Sequence, residues 1–130
     1  MEIVWLDAET VTELNRVALE EGETHVLNPG SDLNGALNRP RGYFHYQEIR
    51  SLYELAALYA VALVETHAFQ DGNKRTALLA IRAFLRANDM DFDYGSYDEE
   101  AAEKMTGIAT GDVDREELVD WIRANTTGGT

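Results

Sequence analysis

Residues 51–88 read SLYELAALYAVALVETHAFQDGNKRTALLAIRAFLRAN, and this stretch decides the fold. Leu52, Leu55, Leu58, Tyr59, Ala62 and Leu63 recur at helical spacing and leave little polar surface. That is the pattern of a helix packed on most of its sides. Ser51 opens it. Beyond the turn at 67–75, Leu78, Leu79, Ile81, Ala83, Phe84 and Leu85 predict a second buried helix over 76–88. The turn between them gathers His67, Asp71, Lys74 and Arg75, with Gly72 and Asn73 in their midst. An all-α domain is expected, with its chemistry at the junction of its two most apolar helices.

Outward from this centre the elements are shorter. Asp7 caps a first helix through Val11, Leu14 and Ala18, with Leu6 and Val11 placed as a hydrophobic staple and Gly22 as the stop. Asn28-Pro29-Gly30 is a turn, and Ser31 caps a short helix carrying Leu33, Ala36 and Leu37 that Pro40 ends. Arg41 to Arg50 is aromatic without clear periodicity and reads as a loop, His45 included. Met90 to Tyr94 forms a short strand. Ser96 and Glu99 form a capping box for a helix to about Ala109, with Glu100 and Lys104 paired at i,i+4. Asp114 and Glu117 open the last helix, whose Leu118, Trp121 and Ile122 face inward. The expectation is one compact bundle of about six helices over residues 1–125, with one or two very short strands at most and a frayed tail at 126–130.

The composition limits the function classes. The chain has 130 residues, no cysteine, 24 acidic and 11 basic residues, and a formal charge of -13. Disulfides and cysteine–zinc sites are excluded, and the chain fits a reducing, cytoplasmic interior. The start, MEIVWLDAET, has neither a basic region nor a long apolar run, so no signal peptide is read there. No apolar run is long enough for a membrane span. The charge argues against nonspecific nucleic-acid binding, which needs a basic face. Only two basic residues are lysine, Lys74 and Lys104. Abundant acid with little lysine points to a halophile's hydrated anionic surface; an arginine-rich codon bias explains the lysine count but not the charge.

The turn at 67–76, HAFQDGNKRT, has a coherent chemistry. Gly72 can adopt positive φ and bend the chain sharply. The next helix starts just after it, so free amides and the positive end of the helix dipole face outward, a setting that attracts phosphate. Lys74 and Arg75 add two cations. Asp71 repels phosphate unless a cation lies between them, and Mg²⁺ commonly binds one carboxylate plus substrate phosphates. His67, one helical turn earlier, is the group that titrates near neutrality and could take a proton from an attacking hydroxyl. Singly, each residue has a plain reading: His67 a helix cap, Asp71-Gly72 a turn, Asn73 a left-handed residue, Lys74 and Arg75 solvated charges, Phe69 a core anchor. Together they suggest phosphoryl or nucleotidyl transfer.

The run His67-Ala-Phe69-Gln-Asp71-Gly72-Asn73-Lys74-Arg75-Thr76-Ala-Leu resembles the Fic/Doc superfamily motif, and its lysine-containing ending resembles the Doc (death-on-curing) branch. The first helix, the Asn-Pro-Gly turn and the long apolar helix before the motif support the resemblance over nearly the whole chain. It implies a Fic-like helical bundle, with His67 as the base that activates a target hydroxyl, Asp71 as the holder of Mg²⁺, and Asn73, Lys74, Arg75 and loop amides such as that of Gly72 around the nucleotide phosphates. The Doc branch is known for moving phosphate from ATP to a threonine of elongation factor Tu, which halts translation. Its members are toxins neutralised by a small antitoxin partner.

The sequence departs from the AMP-transferring pattern of the superfamily at two positions. Lys74 stands where those enzymes carry glycine, and Leu78 where they carry a second arginine. Both departures favour phosphate transfer. Many relatives inhibit themselves through a helix bearing Ser/Thr-x-x-x-Glu-Gly/Asn; here Glu21 is followed by Gly22, but Val17 replaces the hydroxyl. A separate inhibitor is therefore expected. The alternatives are an AMP transferase on the same fold and a catalytically silent binding or regulatory protein.

Overall fold

The computed structural model describes residues 2–94 and 97–128. Six helices and one two-stranded ribbon make up the described residues. The helices are α1 (Ala8–Ala18), α2 (Leu33–Tyr46), α3 (Leu52–Thr66), α4 (Asn73–Ala87), α5 (Glu99–Thr110) and α6 (Arg115–Ala124). The strands β1 (Met90–Phe92) and β2 (Thr126–Gly128) pair antiparallel, Asp91 opposite Thr127. The all-α bundle expected from the sequence is the fold observed.

Helix α3 is the axis. Leu55 to Ala60 and Ala62 to Val64 are all buried, and α2, α4, α5 and α6 pack around it. Nine buried residues in fifteen are what a helix apolar on nearly every face requires. Ser51 caps it by accepting from the Glu54 amide. Helix α4 lies against α3 through Ala77, Leu78, Ile81, Phe84 and Leu85. Phe84 meets the buried Tyr59 ring at 5.0 Å. The Tyr59 hydroxyl is satisfied inside the core by the Leu6 amide at 3.0 Å. Helix α1 closes over α4, opened by the Asp7 cap on the Thr10 amide and by buried Leu6 and Val11 on either side of it.

Several elements differ from the sequence reading. Helix α2 does not end at Pro40 but runs through it to Tyr46. Proline removes one backbone donor and crowds the preceding turn. Here Pro40 is buried, and the residues beyond it repay the loss. Phe44 packs edge-on against Trp5 at 5.5 Å, and Arg50 lies 4.2 Å over the Phe44 ring while bonding the Phe44 carbonyl. The presumed aromatic loop, His45 included, is thus largely helix. Its cap is Asp32 rather than Ser31. Helix α1 stops at Leu19, with Gly22 in the turn that follows. Helix α4 starts at Asn73, three residues earlier than expected. Asp98 caps α5 by accepting from the Ala101 amide; Ser96, the expected cap, lies outside the described residues. Glu100 accepts from the Trp121 indole at 2.8 Å, and Lys104 reaches Glu117 at 3.4 Å, so each takes a partner on α6. Residues 126–128 are a strand where fraying was expected, because β1 offers an edge beside the end of α6.

Candidate active site

The site lies where α3 ends and α4 begins. His67 is the C-cap of α3 and sits in the left-handed region at φ 51°. A non-glycine residue there costs of order 1–3 kcal/mol unless its surroundings hold it. They do so from three sides. The His67 amide donates to Leu63 O, and Asn28 Nδ2 donates at 2.9 Å to both His67 O and Phe69 O. The extended segment around Leu27 pairs with the turn through Asn28 N to Ala68 O at 2.7 Å and Gln70 N to Val26 O at 2.8 Å. Beneath, Ala68 and Phe69 are buried. Phe69 is the core anchor that the sequence indicated.

Gly72 is the N-cap of α4, at φ 78° and with no side chain capping the helix. An added Cβ would also lie 3.2 Å from Leu19 Cδ2. Both the backbone conformation and the close approach of α1 therefore call for glycine. The first amide bonded within the helix is that of Thr76, to Gly72 O at 2.8 Å. The amides of Asn73, Lys74 and Arg75 form the first turn, which carries no intrahelical partner and the positive end of the dipole. Starting α4 at Asn73 thus brings the motif's amides into the helix terminus itself.

His67, Asp71, Gly72, Asn73, Lys74 and Arg75 all line a cavity of about 400 Å³, which Glu23 also borders. Its far wall is Tyr97, Ala102, Thr106 and Ala109, on and before α5. The His67 ring is exposed. Asp71 presents its carboxylate beside the uncapped helix end, with Oδ2 accepting from the Thr24 amide at 2.8 Å. The Asn73 side chain turns inward and is buried. It accepts from Phe69 N, donates to Phe69 O, and lies 3.4 Å from His67 Nδ1. Arg75 lines the cavity too, while its guanidinium is bonded to the end of α1 and the loop after it. Its Nε donates to Ala18 O at 2.9 Å, and its terminal nitrogens pair with Glu20 and Glu23. The Glu23 carboxyl is held below its ordinary range, first by the Glu20 amide and then by Arg75.

Four residues that support this arrangement escaped the sequence reading. Asn15 is wholly buried on α1; its Nδ2 donates to Asp71 O at 2.8 Å and to Thr76 Oγ1 at 3.1 Å, and its Oδ1 meets His25 Nδ1 at 2.7 Å. His25 is exposed and stacks at 6.3 Å on the Phe69 ring. Glu23 and Thr24 grip Arg75 and Asp71. A faint signal existed for Asn15 alone, a polar residue one turn after Val11 on an apolar stripe. The others lie in a loop, where no periodicity marks a contact.

Asp71 is suited to Mg²⁺: one oxygen is bonded to Thr24, and its other oxygen has no protein hydrogen bond among those described. Among the described residues no cluster of three or more His, Cys, Asp or Glu could hold a metal ion. One carboxylate supplemented by phosphate oxygens and water is the usual manner of holding Mg²⁺ beside a nucleotide.

An open helix terminus, a lysine, an aspartate and an exposed histidine thus meet around one cavity of an all-α bundle. The chain belongs to the Fic/DOC family, whose model matches residues 5–85, and within it to the Doc branch. It is 38% identical over 88 residues to the protein kinase doc of Escherichia phage P1, covering 67% of either chain. It is 33% identical over 133 aligned positions to the toxin Doc of Mycolicibacterium smegmatis, covering 95% of this chain and 98% of the relative. No described helix is long and apolar enough to cross a membrane.

Proposed function

We propose that the protein is a Doc-type toxin that transfers the γ-phosphate of ATP to a threonine or serine hydroxyl of a translation elongation factor, and that a small antitoxin partner neutralises it in the cytoplasm. The observation that carries this reading is the uncapped start of α4, with Lys74 beside it, on the same cavity as His67 and Asp71. The names of the two relatives, one a kinase and one a toxin, support it.

In this reading the amides of Gly72, Asn73, Lys74 and Arg75 and the Lys74 ammonium bind phosphate oxygens. His67 accepts the proton of the target hydroxyl while that oxygen bonds to the γ-phosphorus and the bond to the β-phosphate oxygen breaks, releasing ADP. Asp71 would hold Mg²⁺, which when bound neutralises charge between the carboxylate and the phosphates. Phosphoryl transfer depends mainly on positioning and charge stabilisation, which this set provides. Asn73 contributes through its amide and by keeping the turn in register beneath His67.

The reading is tested by incubating the purified chain with host lysate and labelled ATP and identifying the modified protein. His67→Ala serves as the comparison, since loss of a general base lowers transfer by roughly 10²–10⁴-fold. Label on an elongation factor that disappears with the variant supports the proposal. Equal labelling by both proteins removes His67 from its role.

A further inference from the structure

Arg75 stands in the motif and borders the cavity together with Glu23, yet its guanidinium is already engaged. Nε is bonded to Ala18 O at the end of α1, one terminal nitrogen to Glu20 at 3.3 Å, and the other to Glu23. A phosphate seeking this guanidinium would meet two carboxylates around it, whose charge offsets the attraction. Of the two, Glu20 is 70% exposed and Glu23 26%, against 20% for Arg75. The better shielded pair has the greater effect, because exposed ion pairs are weakened by solvent and salt. Glu23 is itself fixed: its Oε1 accepts from Glu20 N at 2.7 Å, and its amide donates to Glu20 O. The very next amide, Thr24 N, donates to Asp71 Oδ2. One tight turn therefore holds both the arginine and the aspartate of the site.

We propose that Glu23 is a positioning residue: it pins Arg75 to the end of α1, so that the arginine side chain braces the first turn of α4 and the place of Asp71 instead of contacting the nucleotide. The proposal rests on the phosphate-transfer reading of the same site. It makes Glu23, which lies outside the motif, a requirement for tight ATP binding.

The test is a double-mutant cycle on the full chain, with Glu23→Ala, Arg75→Ala and the double variant, each assayed for kcat and KM with ATP. Removing a residue that supports a site commonly lowers affinity or activity about 10–100-fold. Each single variant is expected to lose that much, chiefly as a raised KM, and the double variant no more than Arg75→Ala alone. Glu23→Gln, which keeps the shape and removes the charge, is expected to lose less than Glu23→Ala. It decides the matter if the alanine variant does not fold. Multiplying losses in the double variant overturn the proposal, and so does tighter ATP binding by Glu23→Gln, which makes the carboxylate a competitor of phosphate. The same cycle is read as Tm without ATP, where additive losses overturn the brace. If the wild-type chain transfers no γ-phosphate, the function reading fails by itself while this Tm cycle still decides the role of Glu23.

Discussion

Asn73 holds both backbone groups of Phe69, accepting from its amide at 3.0 Å and donating to its carbonyl at 2.7 Å. The first residue of α4 thereby fixes the shape of the turn that leads into α4. Both Phe69 and Asn73 are buried, so water cannot easily replace these bonds. Asn73→Ala leaves the buried Phe69 amide without a partner, at about 1–3 kcal/mol, while the Phe69 carbonyl keeps only its bond from Asn28 Nδ2. A clear drop in Tm is expected, with activity lost in parallel as His67 is released. Thermal melts of the two proteins check this, and an unchanged Tm would contradict the stitching role. Asn73→Asp keeps the acceptor and loses the donor, so it should fall between.

Asp71 is expected to set the metal requirement. Asp71→Asn retains the side-chain shape and the acceptor for the Thr24 amide but removes the charge that offsets Mg²⁺. Activity should be low and its response to Mg²⁺ weakened. Titrating activity against Mg²⁺ for both proteins gives the answer; superimposable curves would place the metal elsewhere.

The central pair of helices was legible in the sequence because long apolar periodicity survives any context. The motif was legible because seven residues of unlike chemistry cannot share so short a stretch by helical patterning. The path through Pro40 was not. A proline reads locally as a stop, and only the packing of Phe44 on Trp5 and of Arg50 on Phe44 shows what holds the helix beyond it. The orientation of Asn73 and Arg75 was also out of reach. A side chain that borders a cavity can still be bonded to the scaffold: Asn73 to Phe69 within the turn, and Arg75 to Glu20 and Glu23, which are placed by how α1 and its loop close over α4. The strand at 126–128 depends likewise on a distant edge.

The charge of -13 carries a prediction about salt. Like charges repel in dilute buffer, and the Debye length falls from ~10 Å at 0.1 M to ~3 Å at 1 M. Tm is therefore expected to rise with KCl well past physiological salt if the surface is that of a halophile's protein. A flat or falling Tm across a KCl series would count against that reading and leave the site untouched.

The most direct test of the account is which phosphorus of ATP reaches the target. Lys74 lines the cavity at the start of α4 with Asp71 and His67, at the position where AMP-transferring members of the family carry glycine. A long cationic side chain there should obstruct the pose that presents the α-phosphate and hold the other end of the triphosphate, so that the hydroxyl beside His67 meets the γ-phosphate. Lys74→Gly should lose phosphate transfer and gain weak AMP transfer, whereas full retention of phosphate transfer would show that Lys74 does not set the pose. The decisive measurement runs parallel reactions with ATP labelled at the γ or at the α position. The account predicts label on the target from the γ position alone, with a mass gain of one phosphate. Label from the α position, with the mass gain of AMP, would contradict it.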